Sequence, residues 1–206
     1  MKAFGYWLLP ALALAAACHK QTPQAEQPKQ LTFHEIMKDH VDKNADELWD
    51  MTNKWIGEQA GLDPSKMKDA DWDKLADKAD AVQQAALSIT TLNPVVVVKP
   101  GVKLSDEGLP YGHTGAQVQA RVDKDPQHLK DMAGVLAQHM ADLSKAARAH
   151  DAARAGTLID QLDGVCEDCH LDYWYPDQKD LVNKYRNVGK APAAVPGETA
   201  TPAGNH

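Results

Sequence analysis

The sequence predicts an all-α protein, an antiparallel four-helix bundle with a long irregular connection between helices 2 and 3. Four stretches place apolar residues at three- and four-residue intervals, which is the period of an amphipathic helix. No stretch has a convincing β-strand partner. The irregular connection is residues 93–125, where four glycines and three prolines interrupt any long element. Four amphipathic helices bury their apolar stripes by packing around one core.

The first predicted helix begins after Thr32, which forms a capping box with Glu35. Its apolar spacing continues to about residue 58. Residues 42–44 are a predicted kink, and Gly61 and Pro64 break the helix before the next element.

The second predicted helix is residues 71–91. Within the connection, Val95 to Val98 forms an extended segment that alternate valines hold against the bundle, and residues 117–123 form a short helix. Asp125 then caps the third helix and Pro126 opens it, a position that proline favours.

The fourth predicted helix comes after a turn near residue 150 and ends before Pro176. It contains the sequence Cys-Glu-Asp-Cys-His at residues 166–170, which is the C-x-x-C-H pattern of covalent attachment of a c-type haem. In a helix, Cys166, Cys169 and His170 lie within about 100° of arc on one face. One helical turn then presents two thiols for thioether bonds and one imidazole for the iron.

Three other interpretations of the cysteine pair are weaker. A thioredoxin-type pair opens a helix inside a βαβ pattern, and none is present. A structural zinc site needs four ligands, and the chain has no second cysteine pair to complete the tetrahedron. A disulfide between cysteines three residues apart on a helix has unfavourable geometry.

Residues 1–17 are predicted to be a signal peptide, with Lys2 before an apolar stretch that is short for a bilayer span. The run Ala-Ala-Ala-Cys at residues 15–18 resembles a bacterial lipoprotein cleavage box, although Ala15 stands where such boxes usually have Leu. The resemblance implies a lipid anchor on Cys18 and a location on the periplasmic side of a bacterial membrane. The alternative is ordinary signal cleavage and a soluble periplasmic protein.

These boundaries define the predicted domains. Residues 18–30 form a lipidated N-terminus and a flexible polar tether, residues 31–186 form the helical haem-binding domain, and residues 187–206 form a disordered tail. The net charge of −7 makes a nucleic-acid partner improbable. A redox partner steered by charge would have a basic docking face.

A four-helix chain with one C-x-x-C-H near the end of its last helix resembles the class II c-type cytochromes, the cytochrome c-prime group and its low-spin relatives. The resemblance covers about residues 31–186. It implies one covalent haem held by Cys166 and Cys169, with His170 as the proximal ligand. In low-spin members a methionine of the first helix is the second ligand, and Met37 stands in the matching place. Relatives often dimerise through their first two helices, so a homodimer is possible on the same basis.

The implied function is electron transfer by an exported mono-haem cytochrome rather than enzymatic catalysis, because no Ser-His-Asp set, phosphate loop or paired-carboxylate pattern is evident. The alternative is a five-coordinate protein that binds nitric oxide or carbon monoxide, with Met37 only filling the core. Peroxidase activity would need a distal acid-base group such as His34 or His40. Both histidines share the helix face of Met37 and also compete with it as iron ligands. More remote histidine candidates are His113, His128, His139 and His150.

Overall fold

The structure is a computed structural model that describes residues 30–57 and 61–186. Within these ranges every regular element is a helix and no β-strand occurs, which confirms the all-α class. The predicted signal peptide, Cys18, the tether as far as residue 29 and the tail at residues 187–206 lie outside the described residues.

The first helical segment consists of three contiguous parts, α1 (Phe33–Ile36), a π-helical segment (Met37–Asp42) and α2 (Lys43–Thr52), with a 3₁₀ turn (Asn53–Trp55) after them. The later helices are α3 (Asp69–Thr90), α4 (Gly115–Val122), α5 (Pro126–Arg148), α6 (Ala152–Tyr173) and α7 (Lys179–Arg186). Short 3₁₀ turns occur at Pro64–Lys66 and Pro176–Gln178.

Most local predictions are confirmed. Thr32 and Glu35 form the capping box, and the Asp125 side chain accepts a hydrogen bond from the His128 amide (3.0 Å) ahead of Pro126. One prediction about the first helix is wrong, because its α-helical part ends at Thr52 rather than near residue 58. The sequence did not predict the π-helical segment Met37–Asp42, which ends at the first residue of the predicted kink.

The core is formed mainly where α3 packs on α5 and α5 packs on α6. A three-residue turn joins α5 to α6, so these two helices form a hairpin. The π-helical segment and α2 also pack on α3. The largest fully buried side chains come from α1, α2, α3, α5 and α6, and they include Phe33, Leu48, Leu75, Ile89, Leu129, Met140, Leu143 and Leu162.

The valine segment of the connection is extended and alternates as predicted. Val95 and Val97 are buried, whereas Val96 is exposed. The carbonyls of Val96 and Val97 accept hydrogen bonds from the amides of Phe33 (2.8 Å) and His34 (2.9 Å). The N-terminal amides of a helix have no partner within the helix, so this segment completes the start of α1.

The other edge of the valine segment lies against α4. The Val97 amide donates to Oε1 of Gln119 (2.7 Å), and Nε2 of Gln119 donates to the Val95 carbonyl (2.9 Å). A Cβ added at Gly115 would lie 2.3 Å from Cγ1 of Val98. The first residue of α4 must therefore be glycine, because any Cβ at this position would overlap Val98.

Substitution by alanine should have opposite effects on stability at Gly115 and at Gly134. Gly115→Ala should destabilise the protein by about 1–3 kcal/mol, because the new methyl group overpacks a β-branched side chain. Gly134→Ala, inside α5, should stabilise it by about 0.5–1 kcal/mol, because no atom lies within 4 Å of the added Cβ and alanine favours the helix. Urea unfolding of both variants measures the difference, and equal midpoints would contradict the packing at Gly115.

Candidate cofactor site

The predicted motif lies on one face of α6. Cys166, Cys169 and His170 belong to the C-terminal part of the helix, which remains regular to Tyr173. Both cysteines are free thiols and both are half-buried. The local geometry therefore matches the sequence prediction that the two thiols and the imidazole share one helical face.

These three side chains line a cavity with a volume of about 460 Å³. Cofactor sites in proteins have volumes of about 300–1,000 Å³. Most of the wall is apolar and comes from the first helical segment, α3 and α5: Phe33, Val41, Ala45, Trp49, Ile89, Leu129, Met132, Ala133 and Leu136. Trp174 and Tyr175, directly after α6, complete the side next to His170.

Met37 lines the same cavity as the motif. It is the first residue of the π-helical segment and is half-buried. π-helical turns within α-helices occur frequently at functional sites. The structure therefore brings together all four residues that the sequence singled out, with the cysteines and His170 on α6 and Met37 on the first helical segment.

The structure separates the competing histidines. His34 lines the cavity, and His40 is exposed and does not line it. The remote candidates have other contacts: His113 with Arg121 (3.1 Å), His128 with Asp172 (2.9 Å), His139 with the Leu158 carbonyl (2.8 Å) and His150 stacked on Trp72. Met132 of α5 also lines the cavity, and the sequence alone gave no reason to consider it as a ligand.

The environment of the cysteines keeps them protonated. Burial, with the negative charges of Asp163 and Asp42, raises the pKa of the Cys166 thiol to about 11. Burial, with Asp172 and other negative groups, raises the pKa of the Cys169 thiol to about 12. The cysteines of disulfide oxidoreductases have lowered pKa values at the start of a helix. This pair lies near the end of one, which argues against a thioredoxin-type function.

Aromatic rings surround His170. Its imidazole lies 6.4 Å from the Trp174 ring and 6.1 Å, edge to face, from the Tyr175 ring, measured between centroids. Burial lowers the pKa of His170, and the negative charges of Asp163, Asp106 and Glu167 oppose the shift. A neutral imidazole is the form that binds a metal ion.

Asp106 is a site residue that sequence reasoning missed. It lies in the connection between α3 and α4 and lines the cavity together with His170 and Tyr175. Burial and hydrogen bonding to Asp106 raise the pKa of the Tyr175 hydroxyl to about 12. The Oδ2 atom of Asp106 is buried and has no hydrogen-bond partner among the residues that the structure describes. No local pattern distinguishes this aspartate from the other acidic residues of the chain.

Two arginines fix the end of α6. Nη1 of Arg121, on α4, donates a hydrogen bond to the Tyr173 carbonyl (2.9 Å), one of the carbonyls that a helix end leaves without an internal partner. Arg186, on α7, forms ion pairs with Glu167 and Asp168, the two residues between the cysteines. These contacts hold the motif turn from two directions. Neither contact was predicted from the sequence.

Within the described ranges, no group of three or more His, Cys, Asp and Glu side chains is arranged to bind a metal ion. The site instead offers two imidazoles, His170 and His34, and two thioethers, Met37 and Met132, as possible ligands, with two thiols for covalent attachment. Such a set suits a metal whose remaining ligands come from a macrocycle. No helix in the described part of the chain is long and apolar enough to cross a membrane.

Comparison of the chain with protein-family models, with curated protein sequences and with solved structures gives no match.

Proposed function

We propose that the protein is an exported mono-haem c-type cytochrome that transfers electrons. One haem is attached through Cys166 and Cys169, with His170 as the proximal ligand and Met37 as the distal ligand. The observation that carries the proposal is the common cavity. Two thiols and an imidazole line one apolar space with a thioether that lies at least 129 residues away along the chain.

The residues of the cavity fit a haem in three respects. The volume of about 460 Å³ is in the range of cofactor sites, and the wall is mainly apolar. The cysteines are unpaired and accessible from the cavity. The two candidate axial ligands belong to different helical segments, as expected when the first and fourth helices of a bundle face each other across a cofactor.

The haem supplies a one-electron couple between Fe(III) and Fe(II). The protein residues determine where and how easily that couple operates. The cysteines would hold the macrocycle on α6 through two thioether bonds. His170 stays neutral because it is buried, so it is ready to bind the iron. A thioether ligand from Met37 favours Fe(II) and raises the potential. The apolar side chains exclude water and lower the local dielectric constant.

The wider arrangement remains part of this proposal. The first helical segment, α3, α5 and α6 would form the four helices of a bundle related to the class II c-type cytochromes, with α4 as an accessory helix in the connection. Such a chain needs no substrate site, so we propose a carrier and not an enzyme. Its net charge of −7 favours a redox partner with a basic docking face. Homodimerisation through the first two helices remains an expectation from the resemblance.

A five-coordinate protein that binds nitric oxide or carbon monoxide is the second candidate. The observation in its favour is that Met37 packs against the apolar core and shares the cavity wall with Phe33, Val41, Leu129 and Leu136. If Met37 only packs against these residues, the sixth position of the iron is open beneath apolar side chains and accessible to a diatomic ligand.

Covalent attachment is tested by retention of haem in the denatured protein. Because each thioether bond is formed by one cysteine, Cys166→Ala and Cys169→Ala should each reduce covalently bound haem in exported protein, and the double variant should have none. His170→Ala should retain the attached haem and change its absorption spectrum. Complete extraction of haem from the wild-type protein by acid acetone would refute the proposal.

The spin state of the ferric protein distinguishes the two candidates. Met37→Ala should convert a low-spin haem to high-spin and allow carbon monoxide to bind the ferrous form. Met132→Ala is the matched control, because it removes another thioether from the same cavity. Met132 is half-buried and packs against the core, so its truncation should lower stability without altering the spin state. A high-spin wild-type protein near neutral pH would favour the gas-binding candidate, and a low-spin Met37→Ala variant would favour His34.

The lipid anchor on Cys18 is a separate part of the proposal. Cys18→Ser should move the protein from the membrane fraction to the soluble periplasmic fraction, because several acyl chains are needed for stable anchoring. The absorption spectrum of the haem should not change, since Cys18 lies far along the chain from the motif. Detection by mass spectrometry of an unmodified thiol at the N-terminus of the mature protein would exclude the anchor.

A further inference from the structure

We propose that Asp106 is a positioning residue for the proximal ligand, and that in the haem-loaded protein its carboxylate accepts a hydrogen bond from the imidazole N–H of His170. The inference rests on the proposed function, because His170 needs this acceptor only when its other ring nitrogen binds iron.

The first step concerns Asp106 itself. A buried carboxylate oxygen without a hydrogen-bond donor costs folding free energy, and such groups are uncommon in folded proteins. Oδ2 of Asp106 is of this kind within the described ranges, and the residue lines the cofactor cavity. This oxygen can therefore accept a hydrogen bond from a donor in the cavity.

The second step concerns the donor. A histidine that binds a metal through one ring nitrogen almost always donates its other N–H to a carboxylate, a carbonyl or water. Asp163 and Glu167 lie on α6 with His170, and Asp106 lines the same cavity as His170. Glu167 is paired with Arg186, and Asp163 is exposed and does not line the cavity. Asp42 and Asp46 also line the cavity, but both are exposed. Among the described residues, Asp106 is the lining carboxylate with a buried oxygen that has no hydrogen-bond partner.

The third step concerns the loop that places Asp106. Buried Leu104 anchors its start, and the Leu109 amide donates to the Asp106 carbonyl (3.0 Å). Gly108 has a φ of +101°, in the left-handed region that favours glycine. A Cβ at Gly112 would lie 1.8 Å from the Asp106 carbonyl oxygen, so only glycine permits this close approach. These contacts fix the backbone of Asp106 within the loop.

A carboxylate acceptor makes the imidazole a stronger electron donor, which favours Fe(III) and lowers the midpoint potential. Asp106→Asn keeps the shape of the side chain and removes its charge, so it should raise the midpoint potential of the holoprotein. Asp163→Asn is the matched control, because it removes a charge that also acts on His170 but cannot provide the hydrogen bond. The increase for Asp106→Asn should be at least twice that for Asp163→Asn, measured by spectroelectrochemical titration.

A second measurement reads the hydrogen bond directly. In reduced holoprotein labelled with ¹⁵N-histidine, the His170 ring N–H should exchange with solvent at least ten-fold faster in Asp106→Ala than in the wild type or in Asp163→Ala. If Asp106→Ala fails to fold, the midpoint potential of the isosteric Asp106→Asn variant still tests whether Asp106 accepts the hydrogen bond from His170. Equal potential shifts for the two asparagine variants, or unchanged exchange in Asp106→Ala, would overturn the inference and leave the haem assignment intact. A wild-type protein without covalent haem would instead refute the proposed function.

Discussion

The period of the α-helix at residues 166–170 is the constraint on which the site depends. Cys166, Cys169 and His170 share one face only while α6 stays helical through this stretch. Helix ends fray unless their free carbonyls find partners. Here the last turn is held by Arg121, which reaches the Tyr173 carbonyl from α4, and by Arg186, which pairs with the two acidic residues inside the motif. The accessory helices thus stabilise the one turn that must not unwind.

The cavity wall that contains Met37 is π-helical, whereas the wall that contains the motif is a regular α-helix. Met37 begins a π-helical segment, whose wider turn interrupts the hydrogen-bond pattern of the helices before and after it. The position of this segment is determined from both ends. The valine segment and the Thr32–Glu35 capping box fix the start of α1, and packing on α3 fixes the π-helical segment and α2. An irregular segment that is fixed on both sides can hold a side chain in one place.

The elements that the sequence predicted well are those determined locally. Helix periodicity, the Thr32 capping box, the Asp125–Pro126 start of α5 and the C-x-x-C-H face all depend on residues within one or two turns of each other. The π-helical segment does not, because it depends on how the first helix packs on α3. The same limit explains why His34 and His40 were equivalent in sequence, although only His34 lines the cavity. The place of Asp106 on the cavity wall could not be predicted from the sequence. Asp106 lies in a stretch whose glycines and prolines predict only the absence of a long element. It shares a cavity wall with His170 and Tyr175, which lie more than 60 residues further along the chain, and no local pattern encodes such a grouping.

The charges around the cavity act in opposite directions on a bound iron. A thioether from Met37 would favour Fe(II), whereas the carboxylates near His170 would favour Fe(III) because they stabilise the extra positive charge. Asp163 is exposed, so solvent screens its charge. Glu167 is paired with Arg186, which offsets its charge. Asp106 has no such screening at its buried oxygen, so its charge acts through a medium of low dielectric constant. If the site holds a haem, a single loop residue would then oppose the effect of the distal ligand, and the connection as well as the helices would influence the potential.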